Sequence, residues 1–98
     1  MPFAVKTLNY QHNRMLNISD AELIGRTFTE SDLTVNISKN YFSERIVDEN
    51  EAEKLLRKAS IINMVGKEII ALSIRMGIGS SKGVREIGGV PFLIVFNF

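Results

Sequence analysis

Cysteine is absent from the 98 residues. Disulfides, thiolate metal sites and thiol nucleophiles are therefore excluded, and stability must come from packing. That composition suits a reducing cytoplasm, which is the location expected from the sequence. Histidine occurs once, at position 12, inside a stretch that reads as a hairpin turn. A lone imidazole with no thiolate cannot complete a zinc site, so no metal and no cofactor are expected. Two prolines and seven glycines are too few for a long flexible linker. No apolar run approaches the roughly 20 residues of a membrane span, and the opening MPFAVKTLNY lacks the basic start and apolar segment of a secretory signal. No membrane partner is expected. An excess of either charge is also missing: the net charge is +1, which alone argues neither for nucleic acid nor against it.

What is present is ordinary for a globular chain, with 45% hydrophobic and 23% charged residues. One domain over 1–98 with one core follows from the length. The charge is unevenly spread. From Lys54 to Arg85 seven bases, Lys54, Arg57, Lys58, Lys67, Arg75, Lys82 and Arg85, face a single acid, Glu68. One reading is helix electrostatics, with Asp48, Glu49, Glu51 and Glu53 starting a helix that Lys54, Arg57 and Lys58 finish. The other is a patch for phosphate or an acidic partner.

Along the chain, FAVKTLNY alternates as a strand with one buried face, His12 to Arg14 make a turn, and MLNIS returns as a second strand. Ser19 stands three residues before Glu22, the spacing of a reciprocal cap, which predicts a short helix over SDAELIG stopped by Gly25. TFTESD reads as a polar turn. LTVNIS then places Leu33, Val35 and Ile37 on one face of a strand. Tyr41 and Phe42 follow in a loop beside Lys39 and Arg45. Such aromatics either stack on a ring or base, or form a lid over the core.

Asp48 and Glu51 form a second capping pair, and Ala52, Leu55, Leu56 and Ala59 fall on one helical face. Beyond Ser60, the recurrence of Ile62, Val65, Ile69, Leu72 and Met76 at three- and four-residue steps predicts another helix, with Ile70 and Ile74 as an apolar shoulder. Gly66, Ser73 and Gly77 would line one edge of it and admit a close neighbour. MGIGSSKG has the ingredients of a phosphate cradle in the wrong order, since it follows a helix instead of preceding one. Gly77 therefore reads as a helix cap and the rest as a connection.

VREIGGVPFLIVFNF divides into a short strand over Val84 to Ile87, a Gly88-Gly89 turn and an apolar strand from Phe92, with Pro91 at the entrance, outside the ladder. The turn suffices structurally, and Gly88, Gly89 and Pro91 are also candidates for close ligand approach. A strand apolar at every position from Phe92 to Phe96 is covered on both faces or covered by a partner.

IGRTF, NYFSERIVDENEA, ASIINMVGKEIIALSIRMG and VREIGGVP, taken in order, resemble the archaeal proteins grouped as domain of unknown function 424. The resemblance runs from about Ala4 to Val95. It implies a small single domain and a cytoplasmic archaeal source, with no known activity. The family pattern often carries a histidine after Gly-Val-Pro and a polar residue soon afterwards; this chain has Phe92, Leu93 and Ile94 there, so any acid-base or metal role of that histidine is lost here.

Other catalytic groups are sparse. Glu44, Asp48 and Glu49 lack the repeated ligands of a calcium loop, and Ser80 and Ser81 have no evident base in sequence. The expected architecture is α+β: a small, mainly antiparallel or mixed sheet, built from the N-terminal hairpin, the Leu33 strand and the C-terminal hairpin, with two longer helices and one short helix. The leading functional reading is a non-enzymatic binding module that contacts RNA or a ribonucleoprotein through the seven bases. The alternative is a homodimer or adaptor using Ile70, Ile74, Phe92, Ile94 and Phe96. A small-molecule enzyme at the Gly88 to Pro91 turn ranks third.

Overall fold

A computed structural model describes all residues 1–98. The first strand, β1 (Phe3–Tyr10), folds back onto β2 (Asn13–Asp20) in full antiparallel register. The two-residue turn holds Gln11 at φ 48° and His12 at φ 69°, the left-handed pair that matches the twist of a hairpin. The expected hairpin is present, and longer than read.

The capping helix expected at Ser19 is not formed. Ser19 is buried in β2, and only a 3-10 turn, Ala21–Leu23, follows. Two-fold alternation against β1 and burial on both faces outweigh a local capping pattern. TFTESD is likewise more than a turn: β3 (Thr27–Glu30) and β4 (Leu33–Asn36) form a separate two-stranded ribbon. Thr and Phe are good strand formers when half-buried, and an exposed outer face makes the ribbon look polar. The Leu33 strand therefore lies outside the main sheet. Tyr41 and Phe42 sit in a one-turn helix, α1 (Lys39–Phe42), capped by the Ser38 hydroxyl accepting from the Tyr41 N–H at 3.2 Å.

Beyond β5 (Arg45–Val47), α2 (Glu49–Lys58) begins where expected, with Asp48 Oδ1 accepting the Glu51 N–H at 2.9 Å. Ser60 starts no helix. Ile61–Val65 is a strand, β6, and α3 (Lys67–Arg75) begins only after Gly66 at φ 116°. Four of the five residues of β6 are apolar, on both faces of the strand, so three- and four-residue spacing is satisfied by accident. Ile61, Ile62 and Val65 are β-branched, and Gly66 ends the run. Gly77, at φ 76°, closes α3 as expected. A 3-10 turn at Ser81–Gly83 leads to β7 (Arg85–Ile87), the Gly88-Gly89 turn and β8 (Val90–Phe96). Pro91 is the second residue of β8, within the ladder, opposite Glu86. Its missing N–H costs little there, because β6 has already ended at Val65.

The main sheet is mixed, with six strands in the order β5-β1-β2-β6-β8-β7, and only β2 and β6 run parallel. Both edge strands have three residues. The fold is thus α+β with more strand than the sequence implies. One face of the sheet carries Phe3, Val5, Leu16, Ile18, Ile62, Met64 and Leu93, packed against Ala52 and Leu56 of α2 and Ile69, Ile70 and Leu72 of α3. Ile70 belongs to this core at 5% exposed, so it is no shoulder.

Candidate binding surface

The opposite face of the sheet is covered at one end only. There Val65, Val90 and Phe92 pack beneath Leu23, Ile37, Phe28, Val35 and Phe42, which come from the ribbon and its flanking segments. The rest of that face has no layer over it. Register places Leu8, Met15, Ile61 and Phe96 in one row across β1, β2, β6 and β8. Two-residue alternation puts Tyr10 and Ile94 on the same side. Tyr10 is 56% exposed, Ile94 58% and Phe96 66%, and the Phe96 ring stacks with that of Phe98 at 6.3 Å. Charge is scarce on this half-face. Two cations border it: Lys6, whose ammonium already donates to the Asn40 carbonyl at 2.7 Å, and Arg85, on the β7 edge beside Ile94.

Between the covered and open parts runs the row Lys6, Asn17, Asn63, Ile94. Asn17 is buried. Its Nδ2 donates to the Tyr41 carbonyl at 3.0 Å, and its Oδ1 accepts from Asn63 Nδ2 at 2.7 Å. Buried polar groups must be paired, and here the pair holds α1 onto the sheet. Beside it a cleft of about 330 Å³ lies between Asn36, Tyr41, Phe42, Asn63, Phe92 and Ile94.

A second, smaller cleft of about 190 Å³ adjoins the Gly88-Gly89 turn, between Asp20, Glu22, Gly66, Lys67, Gly89 and Pro91. Parallel pairing of β2 with β6 brings Asp20, at the end of one strand, to Gly66, just past the end of the other. The buried Asp20 carboxylate then accepts the N–H groups of Glu68 at 3.0 Å and Ile69 at 2.9 Å, capping α3. Burial raises its pKa, and the two backbone hydrogen bonds only partly counter this. Neither residue was singled out in sequence for this role. The turn itself docks on the ribbon: the Gly88 N–H donates to the Glu30 carboxylate at 3.1 Å, and a Cβ on Gly88 would lie 3.1 Å from the Thr29 carbonyl.

The seven bases are all exposed but do not form one strip. Lys54, Arg57 and Lys58 lie on α2, Lys67 and Arg75 occupy the two ends of α3, Lys82 sits in a turn, and Arg85 is on β7 in register with Phe92, on the opposite face of the sheet. Arg57 lies 3.6 Å from Glu53 and Arg75 3.9 Å from Glu49. Among the apolar interface candidates, Ile94 and Phe96 are exposed on the open face and Ile74 on the helical side, whereas Ile70 and Phe92 pack inside the molecule. Tyr41 is 67% exposed and Phe42 half-buried, so the first points outward and the second serves as the lid. His12 is exposed in its turn.

An uncovered sheet half-face above a helix-packed core defines a small α+β domain with room for a partner. The chain belongs to the family described as Protein of unknown function (DUF424), whose profile matches residues 8–98. A crystal structure of an uncharacterized conserved protein from Methanopyrus kandleri is similar to it, with a TM-score of 0.85 at 18% identity over 100% of this chain and 93% of that one. At that identity the likeness carries the fold. No curated protein matches the chain.

Proposed function

We propose that the protein is a binding module that pairs with a second copy of itself through the uncovered half-face of its sheet. The observation that carries this reading is the row Leu8, Met15, Ile61, Phe96, flanked by Tyr10, Ile94 and Phe98, with no layer above it. An aromatic side chain presents ~150–250 Å². Tyr10, Phe96 and Phe98, each more than half exposed, therefore contribute on the order of 300 Å² before the aliphatic residues are added. The whole patch then reaches several hundred Å², the size at which an exposed apolar surface marks an interaction site, and approaches the ~800 Å² that each partner gives a stable interface.

The scarcity of charge favours a protein occupant over a polyanion, since phosphates would find only Lys6 and, at the β7 edge, Arg85. Short edge strands favour face-to-face stacking over strand addition. A two-fold axis would set the same row against itself, and sheets stacked this way sit ~10 Å apart.

Sedimentation equilibrium at micromolar concentration tests the reading. The expected result is a dimer that Phe96→Asp converts to a folded monomer. A strict monomer before substitution overturns it. Salt-dependent RNA binding by such a monomer, abolished when Lys54, Arg57 and Lys58 are all changed to Glu, would replace it with the RNA reading.

A further inference from the structure

The cleft beside Asn63 has a chemistry that the open apolar row lacks. Its walls are aromatic and aliphatic, no charged side chain lines it, and its polar groups are the carboxamides of Asn17, Asn36 and Asn63. At about 330 Å³ it stands at the small end of ligand clefts. Those features select a compact, neutral, partly apolar ligand.

The hydrogen bonding narrows the class. Asn17 has its Nδ2 directed to the Tyr41 carbonyl, so its Oδ1 can only face Asn63, and it orients that second amide. Asn63 spends one N–H on Asn17. Its Oδ1 and its other Nδ2 hydrogen have no protein partner, although an amide offers two donors and two acceptor lone pairs. A carboxamide held with an adjacent donor and acceptor free is the group that reads the edge of a nucleobase. Tyr41 supplies a ring face: it is 67% exposed, and its ring is tilted 43° from that of Phe42 at 6.4 Å, so the two do not stack on each other. Aromatic faces of this kind stack bases irrespective of sequence.

Outside the cleft, Lys6 stands next to Asn17 in register, and with Tyr41 it lines an adjoining depression. A phosphate attached to a base in the cleft would meet a cation there.

We infer that this cleft is a nucleobase-binding site, in which the free amide edge of Asn63 reads the base and the Tyr41 ring stacks on it. The site borders the self-pairing patch and shares Ile94 with it, and the inference does not rest on dimer formation. Lys6 is the positioning group for a 5′-phosphate.

Calorimetric titration with adenosine, guanosine, cytidine and uridine, with their 5′-monophosphates and with an unstructured RNA oligonucleotide tests this. At least one nucleoside is expected to bind, and both Asn63→Leu and Tyr41→Ala are expected to weaken it by about tenfold or more. Tyr41 is exposed, so Tyr41→Ala keeps its fold, as a thermal melt would verify, and it carries the test if Asn63→Leu unfolds. A monophosphate that binds more tightly than both its nucleoside and the oligonucleotide, with the advantage removed by Lys6→Ala, identifies a free nucleotide; a tighter oligonucleotide identifies an RNA base. Phe96→Asp should leave nucleoside binding intact, which separates this result from the dimer test. Absence of binding by every nucleoside at millimolar concentration, or binding unchanged by Tyr41→Ala, overturns the inference.

Discussion

The carboxylate of Asp20, at the end of one strand, caps the helix that follows Gly66, at the end of the neighbouring parallel strand, and it lies where a side chain on Gly66 would have to stand. Glycine at φ 116° is thus required twice over, by backbone conformation and by the space that Asp20 fills.

Gly66→Ala should therefore destabilise the protein by at least about 1–3 kcal/mol from backbone strain alone, with the collision against Asp20 in addition. Pairing it with Asp20→Ala removes the collision and leaves the strain. In urea denaturation the double variant should be less destabilised than the two single changes added together.

Asp20→Ala should itself cost about 1–3 kcal/mol, because two amide groups at the start of α3 lose their acceptor. The pH dependence has a definite sign. Burial raises the folded-state pKa of Asp20 above 3.8, so between 3.8 and the raised value the folded protein holds the proton more tightly than the unfolded chain. The contribution of this titration to stability is full below 3.8 and is lost as pH rises through the folded pKa. Measured against Asp20→Asn, which does not titrate, the stability of the native protein should decline across that window. A difference that grows as pH rises would show that hydrogen bonding outweighs burial.

Ile69 is fully buried and Leu72 is 3% exposed, both facing the sheet core. Ile69→Ala or Leu72→Ala should cost about 2–5 kcal/mol. Lys67→Ala, at the exposed start of the same helix, should cost far less. Ile70→Ala should behave like the first two, since that side chain also lies in the core.

Arg75 and Glu49 approach to 3.9 Å with both side chains largely exposed. Removing either should change stability by less than about 1 kcal/mol. Thermal melts of Arg75→Ala at low and high salt would check this, and the small difference should vanish at high salt.

Local patterns in the sequence determined what depends on neighbours along the chain: the β1-β2 hairpin, the Asp48 cap of α2, the Gly77 stop and the Gly88-Gly89 turn. Each is set by a few adjacent residues through capping or by a positive φ, which needs no distant partner. The family and the α+β class were also legible, from the order of several short motifs and from the mixture of strand and helix patterns. Only the tertiary structure decided that Ile61–Val65 is a strand, because five residues with apolar side chains at all but Asn63 alternate too weakly for helix and strand to be told apart. It alone made Asp20 the cap of α3, by parallel pairing of strands distant in sequence. It also joined Asn17, Tyr41 and Asn63 into one cleft, since cross-strand register is set by sheet order and not by any residue's neighbours in the chain.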